Sequence, residues 1–194
     1  MKKLLLLAIL CISSLCMSGQ GNNDDNPNSL NWLASAGLNA INSQGTQSPV
    51  GKIGDWAINI PISLAIEARW ADGLAIEQAF TINSFAEGES IDGVELQENF
   101  TYFSFDSHAK YYFGKHILPS SDWIDFYGNA GLGVFSIEDL NASFNLGGGV
   151  LVWLNKKRTI GIRAQVIGKF ALNHSQRGIN NNHYQTHIQA VFAL

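Results

Sequence analysis

Trp56-Ala57-Ile58-Asn59-Ile60-Pro61-Ile62-Ser63-Leu64-Ala65-Ile66-Glu67-Ala68-Arg69-Trp70 is the stretch that decides the fold. Trp56, Ile58, Ile60, Ile62, Leu64, Ile66, Ala68 and Trp70 share one parity, while Asn59, Ser63, Glu67 and Arg69 fall on the other. Apolar residues recurring every second position describe an extended strand with one apolar face, because successive side chains of a strand point to opposite sides. An amphipathic helix would repeat every three to four residues. Fifteen alternating residues is also about three times the usual length of a strand in a globular protein.

The same pattern returns along the chain. Asn31–Asn42 aligns Trp32, Ala34, Ala36, Leu38 and Ala40, and Leu74–Phe85 aligns Leu74, Ile76, Phe80 and Ile82. Phe100–Phe113 sets Phe103, Phe105, Ala109, Tyr111 and Phe113 against Asp106, His108 and Lys110. Phe126–Ile137, Ala142–Leu154, Thr159–Leu172 and His183–Leu194 alternate likewise, which predicts eight strands. The connections mostly alternate in length. Asn42–Asp55, Ala86–Asn99 and Asn173–Asn182 are long, whereas Ala71–Gly73 and Asn155–Lys157 are tight. Gly114–Asp122 and Glu138–Asn141 depart from that rule. Long loops at one end and short turns at the other are characteristic of membrane barrels.

Composition poses the complementary question. The chain has 194 residues, 46% hydrophobic and only 14% charged, against about 25% charged in an average soluble domain. Beyond its first 20 residues it has no apolar run of the ~18 residues a helical span needs. Hydrophobicity this high also excludes disorder. The beginning, Lys2-Lys3 followed by Leu4–Leu10 and small residues at Ser18 and Gly19, reads as an export signal over 1–19. A polar leader over 20–30 and a barrel over 31–194 follow. Cys11 and Cys16 would leave with the signal, each preceded by leucine rather than the small residue that lipidation requires. The remaining chain then has no thiol chemistry and no disulfide. It keeps 10 basic and 16 acidic residues, a net charge near −6 that argues against nucleic-acid binding.

The two parities decide between a soluble and a membrane barrel. No charged residue lies on the apolar parity of any predicted strand. The polar parity gathers Glu67, Arg69, Glu77, Asp106, His108, Lys110, Arg163 and Lys169, a balanced set expected to form a hydrogen-bonded lumen. Aromatics stand near the strand ends. Trp32, Trp70, Tyr111, Phe113 and Phe192 fall at the turn end, and Trp56, Phe170 and Tyr184 at the loop end, as interfacial girdles would. The expected fold is therefore all-β, an eight-stranded antiparallel up-and-down transmembrane β-barrel.

Lys110-Tyr111-Tyr112-Phe113, Trp123-Ile124-Asp125-Phe126-Tyr127-Gly128-Asn129-Ala130-Gly131-Leu132-Gly133, Asn145-Leu146-Gly147-Gly148-Gly149 and Asn182-His183-Tyr184-Gln185 resemble strands of the Bacteroidetes-type outer-membrane β-barrel family. That family is similar to the OmpA transmembrane domain and to OmpX. Phe126 stands where the family has proline, and the chain ends on Leu194 rather than an aromatic. The resemblance implies the outer membrane of a Gram-negative bacterium, with lipid and lipopolysaccharide around the barrel. It further implies an assembly signal at Phe192 and Leu194 for the barrel-insertion machinery, and surface ligands met through the long loops.

Chemistry-bearing constellations are sparse. His183 and His187 share a parity but lie ~13 Å apart along a strand, which suits lumen hydrogen bonding rather than one metal centre. His174-Ser175 invites comparison with lipid A deacylases, yet adjacent residues point to opposite faces and no glutamate follows. Glu87, Glu89, Asp92, Glu95 and Glu98 form an acidic loop, read as solvated. No nucleotide-binding loop, zinc motif or nucleophile elbow is present. The expectation is a non-enzymatic protein without cofactor, in an envelope-structural or surface-contact role. The alternatives are an outer-leaflet lipid-modifying enzyme (deacylase or palmitoyltransferase-like) and a small-solute channel.

Overall fold

A computed structural model describes residues 30–42, 56–70, 72–91, 94–174 and 181–194. The export signal, most of the polar leader and Ser175 lie outside the described residues. Eight long strand regions form the wall: β1 (Asn31–Asn42), β2 (Ile62–Arg69, preceded by the short piece Trp56–Ala57), β3 (Leu74–Phe85), β4 (Phe100–Tyr112), β5 (Ile124–Ser136), β6 (Leu140–Trp153), β7 (Ile160–Ala171) and β8 (His183–Ala193). Each pairs antiparallel with its sequence neighbour, and β8 returns to β1 from Leu33↔Ala193 to Asn42↔Tyr184. The sheet is closed, so no edge is left unpaired. The fold is an eight-stranded antiparallel up-and-down barrel.

Its faces are reversed relative to a soluble barrel. Leu38, Ile66, Leu132 and Ile188 point outward and are 44–64% exposed, while Glu77, Lys169 and Arg163 point inward and are fully buried. Apolar clusters close the interior at both ends. Leu33, Ala75, Tyr112, Tyr127, Leu151, Trp153 and Val191 pack at the turn end. Ile41, Ala57, Phe85, Ile91, Leu96, Tyr102, Phe135, Ile137 and Ala171 pack at the loop end.

The decisive stretch is not one unbroken strand. Trp56 and Ala57 pair with Asn42 and Ile41, whereas Ser63 pairs with Gly37, so five residues of the second strand oppose three of β1. The two extra residues form a bulge around Pro61, which has no N–H to give the ladder. Asn39 Nδ2 donates to Ile62 O at 2.8 Å and Ile82 O at 2.9 Å. Asn83 Nδ2 donates to Asn39 Oδ1 at 2.8 Å and Ala57 O at 2.9 Å, and Asn83 Oδ1 accepts from Ile60 N at 3.3 Å. Two amides thus replace the ladder bonds that the bulge removes. Because two residues are inserted, parity survives and the apolar side stays outside.

The ends carry two further differences from the sequence expectation. The fifth strand begins at Ile124 rather than Phe126, and Gly114–Ile117 forms a single helical turn within the longish turn-end connection. The tight turn between β2 and β3 places Gly73 at φ +89°, where a side chain would be strained. In the acidic loop, Glu89 accepts hydrogen bonds from Asn59 Nδ2 at 3.2 Å and Ala86 N at 2.9 Å. Ile91 and Leu96 from the same loop are buried in the loop-end cluster. At Glu89 the solvated reading of this loop is therefore corrected, because its carboxylate organises the fold of the loop over the barrel mouth.

Replacing Asn83 by Ala should strand several polar groups at the bulge. It is expected to lower stability by about 1–3 kcal/mol in urea unfolding followed by tryptophan fluorescence, leaving the gross fold intact.

Candidate functional site: the charged lumen

Between the two apolar clusters lies a tier of buried charge. Glu67 of β2 and Glu77 of β3 stand directly opposite one another, an arrangement of like charges that is unfavourable by itself. Two cations resolve it. Lys110 Nζ donates to Glu67 Oε2 at 3.1 Å and to Glu77 Oε2 at 2.5 Å. Arg163, reaching across the lumen from β7, donates through Nη2 to Glu67 Oε2 and through Nη1 to Glu77 Oε2, each at 2.6 Å. Tyr112 OH donates to Glu67 Oε1 at 2.7 Å. The Lys110 ammonium also lies 4.6 Å from the Tyr127 ring centre, a cation–π contact in a dry site.

A second tier sits nearer the loops. Asp106 Oδ1 accepts from Lys169 Nζ at 2.6 Å and Asn145 Nδ2 at 2.9 Å, while Ser104 Oγ donates to Asp106 Oδ2 at 3.0 Å. His108 joins the tiers: its Nδ1 is 3.4 Å from Glu77 Oε1, and its Nε2 is 3.2 Å from Asn145 Nδ2. Gln185 Nε2 donates to Tyr102 OH at 2.6 Å, and Tyr102 OH shares a 2.8 Å hydrogen bond with His183 Nε2. His187 Nδ1 shares one with Ser63 Oγ at 2.9 Å. His183 and His187 thus make separate hydrogen bonds within the lumen. At the turn-end rim Arg69 Nη2 pairs with Asp125 Oδ2 at 3.0 Å, and its guanidinium lies over the Tyr112 ring at 3.8 Å.

Space for these groups comes from glycines on β5 and β6. Asp106 faces Gly133, and His108 faces Gly131, which in turn faces Asn145. A Cβ at Gly133 would overlap Asp106 Oδ1, and one at Gly149 would come within 2.6 Å of Tyr127 OH. The β5 glycines are therefore the shallow wall against which Asp106 and His108 of β4 lie, and the β6 glycines make room beside Asn129 and Tyr127.

All eight residues expected in the polar lumen fall within this connected geometry, Arg69 at its rim. The alternation sets Tyr102, Tyr112, Asn145 and Gln185 on the inward parity without singling them out as members of the network, and it misses Asp125. Asp125 lies on the inward parity of β5, but a strand started at Phe126 hides it. Tyr112 and Tyr127 are aromatic, and parity alone does not say that their hydroxyls reach across. Among the girdle residues, Trp70, Tyr111, Phe170 and Phe192 are exposed on the outer side, and Trp32, Trp56, Phe113 and Tyr184 are half-buried. Trp123, not anticipated, is 59% exposed beside the turn-end helical turn. Phe192 and Leu194 are both exposed at the end of β8, where Leu194 N donates to Trp32 O at 2.9 Å. His174 is exposed in the last loop.

The fold and interior define an all-β, eight-stranded barrel with an apolar exterior and a charged core. No protein-family model matches the chain, and no curated protein sequence does. Among solved structures it is similar to Neisserial surface protein A, at 14% identity and a TM-score of 0.51, covering 84% of this chain and 94% of that one. It is also similar to Ail, the attachment invasion locus protein of Yersinia pestis, at 12% identity and a TM-score of 0.47, covering 87% and 99%. The N-terminal β-barrel domain of Pseudomonas aeruginosa OprF aligns at 11% identity and a TM-score of 0.47, covering 84% and 97%.

Arg163→Met leaves two neighbouring buried carboxylates with Lys110 alone. It should cost about 3–5 kcal/mol in unfolding measured in lipid vesicles, and adding Glu77→Gln should recover part of the loss. Gly133→Ala should cost about 1–3 kcal/mol by overpacking, whereas Ala142→Gly on the outer wall should change stability far less.

Proposed function

We propose that this chain is an integral outer-membrane protein of a Gram-negative bacterium, with a non-enzymatic role in envelope structure or surface contact and a lumen plugged by its own side chains. One observation carries the reading: the buried charged side chains face inward, and the outer wall between the aromatic girdles is almost entirely apolar. A surface of that kind is stable against lipid and insoluble in water. Closure fits the same solvent, since hydrocarbon offers no partner to an open sheet edge.

Several features support the finer parts of the proposal. The charged side chains of both central tiers are at most 2% exposed, and apolar clusters pack at both ends among the described residues, which supports a lumen filled by its own side chains. Such a barrel acts as a rigid wall that presents loops, not as a conduit. The residues from Lys110 to Gln185 that resemble Bacteroidetes-type barrels support a source in that kind of envelope, with lipopolysaccharide as the outer-leaflet neighbour and the long loops as the surface available to ligands. The exposed Phe192 and Leu194 on the last strand are suited to recognition by the barrel-insertion machinery. Export by the segment 1–19 belongs to the same reading.

An enzymatic role has no comparable support among the described residues, where His174 is exposed on a loop and no carboxylate is paired with it. Fractionation tests the proposal first. The protein should require detergent for extraction and should migrate differently on gels before and after boiling; recovery as a soluble periplasmic protein would overturn it. In planar bilayers the wild type should give no steady openings, and His174→Ala should leave the lipid A profile unchanged.

A further inference from the structure

The outer wall contains one exception to its apolar character. Along the β3–β4 pair the outward residues form successive rungs: Leu74 with Tyr111, Ile76 with Ala109, Gln78 with Ser107, Phe80 with Phe105, and Ile82 with Phe103. Ser84 with Thr101 follows toward the loops. The polar rung is the third of five, so it lies near the middle of an apolar band about 25 Å tall. Between the girdles, Gln78 is the one amide or charged side chain on the outward parity among the described residues.

Ser107 Oγ donates to Gln78 Oε1 at 2.7 Å. That bond occupies one acceptor position and leaves the two N–H donors of the amide directed at the surroundings, with no acceptor among the described residues. Lipid cannot supply one, because acyl chains carry no acceptor at mid-depth. An amide exposed to hydrocarbon without a partner is strongly unfavourable, and leucine at this position would be more stable in an isolated barrel. The rung is thus built for a protein neighbour.

We propose that the Gln78–Ser107 rung is the contact through which two copies of this chain pair in the membrane; this rests on the outer-membrane reading above. Two copies inserted in the same direction are related by a two-fold axis along the membrane normal, which puts Gln78 of both at one depth. A primary amide is self-complementary, so each Nε2 donates one of its two N–H groups to the acceptor position that Ser107 leaves open on the Oε1 of the other. A different protein would need its own acceptor at the same height. Ala109 and Ala130 beside the rung form a low wall, and small residues of this kind let transmembrane segments approach closely enough for polar contacts.

The test uses the full chain in its native membrane, with Cys11 and Cys16 changed to Ser and single cysteines introduced on the outer wall. Ala109→Cys treated with a short bismaleimide should give a band at twice the monomer mass. Ile162→Cys, on β7 on the far side of the barrel, should not. Adding Gln78→Leu should cut the Ala109→Cys dimer about fivefold or more, the scale that interchain polar contacts reach in membranes, while heat-modifiable mobility shows that the barrel is intact. Gln78→Met serves as the second variant should the leucine form fail to fold. A monomer throughout, equal cross-linking at Ile162→Cys, a conjugate of another mass, or indifference to Gln78→Leu in a folded, membrane-resident protein would overturn pairing. Absence from the membrane fraction would instead overturn the outer-membrane reading.

Discussion

Everything in this barrel is arranged around the neutrality of its interior. Three carboxylates, Glu67, Glu77 and Asp106, are enclosed with three cations, Lys110, Arg163 and Lys169, at nitrogen-to-oxygen distances of 2.5–3.1 Å. Enclosed charge is tolerated only when it is paired and its remaining positions are hydrogen-bonded. The tyrosines, amides and serines around the cluster meet most of the second condition; Glu77 Oε1, 3.4 Å from His108 Nδ1, and Arg163 Nε are the cluster's positions without a hydrogen bond among the described residues. The apolar layers above and below it keep water from weakening the pairs. An isolated ion pair in such a place would be a weak contributor to stability; a bridged cluster acts as a brace between strands that share no ladder.

That brace sets demands on the wall. Arg163 must reach from β7 to β2 and β3, so the lumen has to be narrow and its other contents thin. Glycine at 131 and 133 provides the thinness opposite His108 and Asp106 of β4, and glycine at 147 and 149 provides it beside Asn129 and Tyr127 of β5. Closure of the sheet then removes every unpaired edge, while the bulge at Pro61 is absorbed by Asn39 and Asn83. The exterior is free of these constraints and needs only to be apolar.

The strands were legible because this barrel separates an apolar outer face from a polar inner one almost completely, and period two is a strong signal over twelve or so residues. Alternation placed Trp32, Leu64, Phe105 and Ile188 outside and Glu77 and Arg163 inside without any structural information. It could not reveal the bulge, because a two-residue insertion keeps parity and Pro61 sits on the parity where its ring disturbs nothing in the pattern. Nor could it say that Glu67 and Glu77 are direct neighbours or that Arg163 meets both. Those facts depend on register and on the reach of a side chain across the lumen. The role of Glu89 was hidden for a similar reason: a carboxylate in a loop looks solvated until the backbone it caps is known. Trp123 was not placed in a girdle because it belongs to a connection rather than to an alternating strand.

The reach of Arg163 also bears on how the chain can be assembled. Its partners lie 86 and 96 residues earlier in the sequence. Until Arg163 is made, the β2–β3 hairpin therefore carries two facing acids with only one of their two bridging cations, Lys110, in hand. Such a hairpin cannot enter hydrocarbon alone, one strand pair at a time. Full neutralisation requires the last quarter of the chain, which also carries the closing strand, to fold against the first half. If the barrel resides in the outer membrane as proposed, this favours insertion as a nearly all-or-none event in which the arginine is among the last contributors.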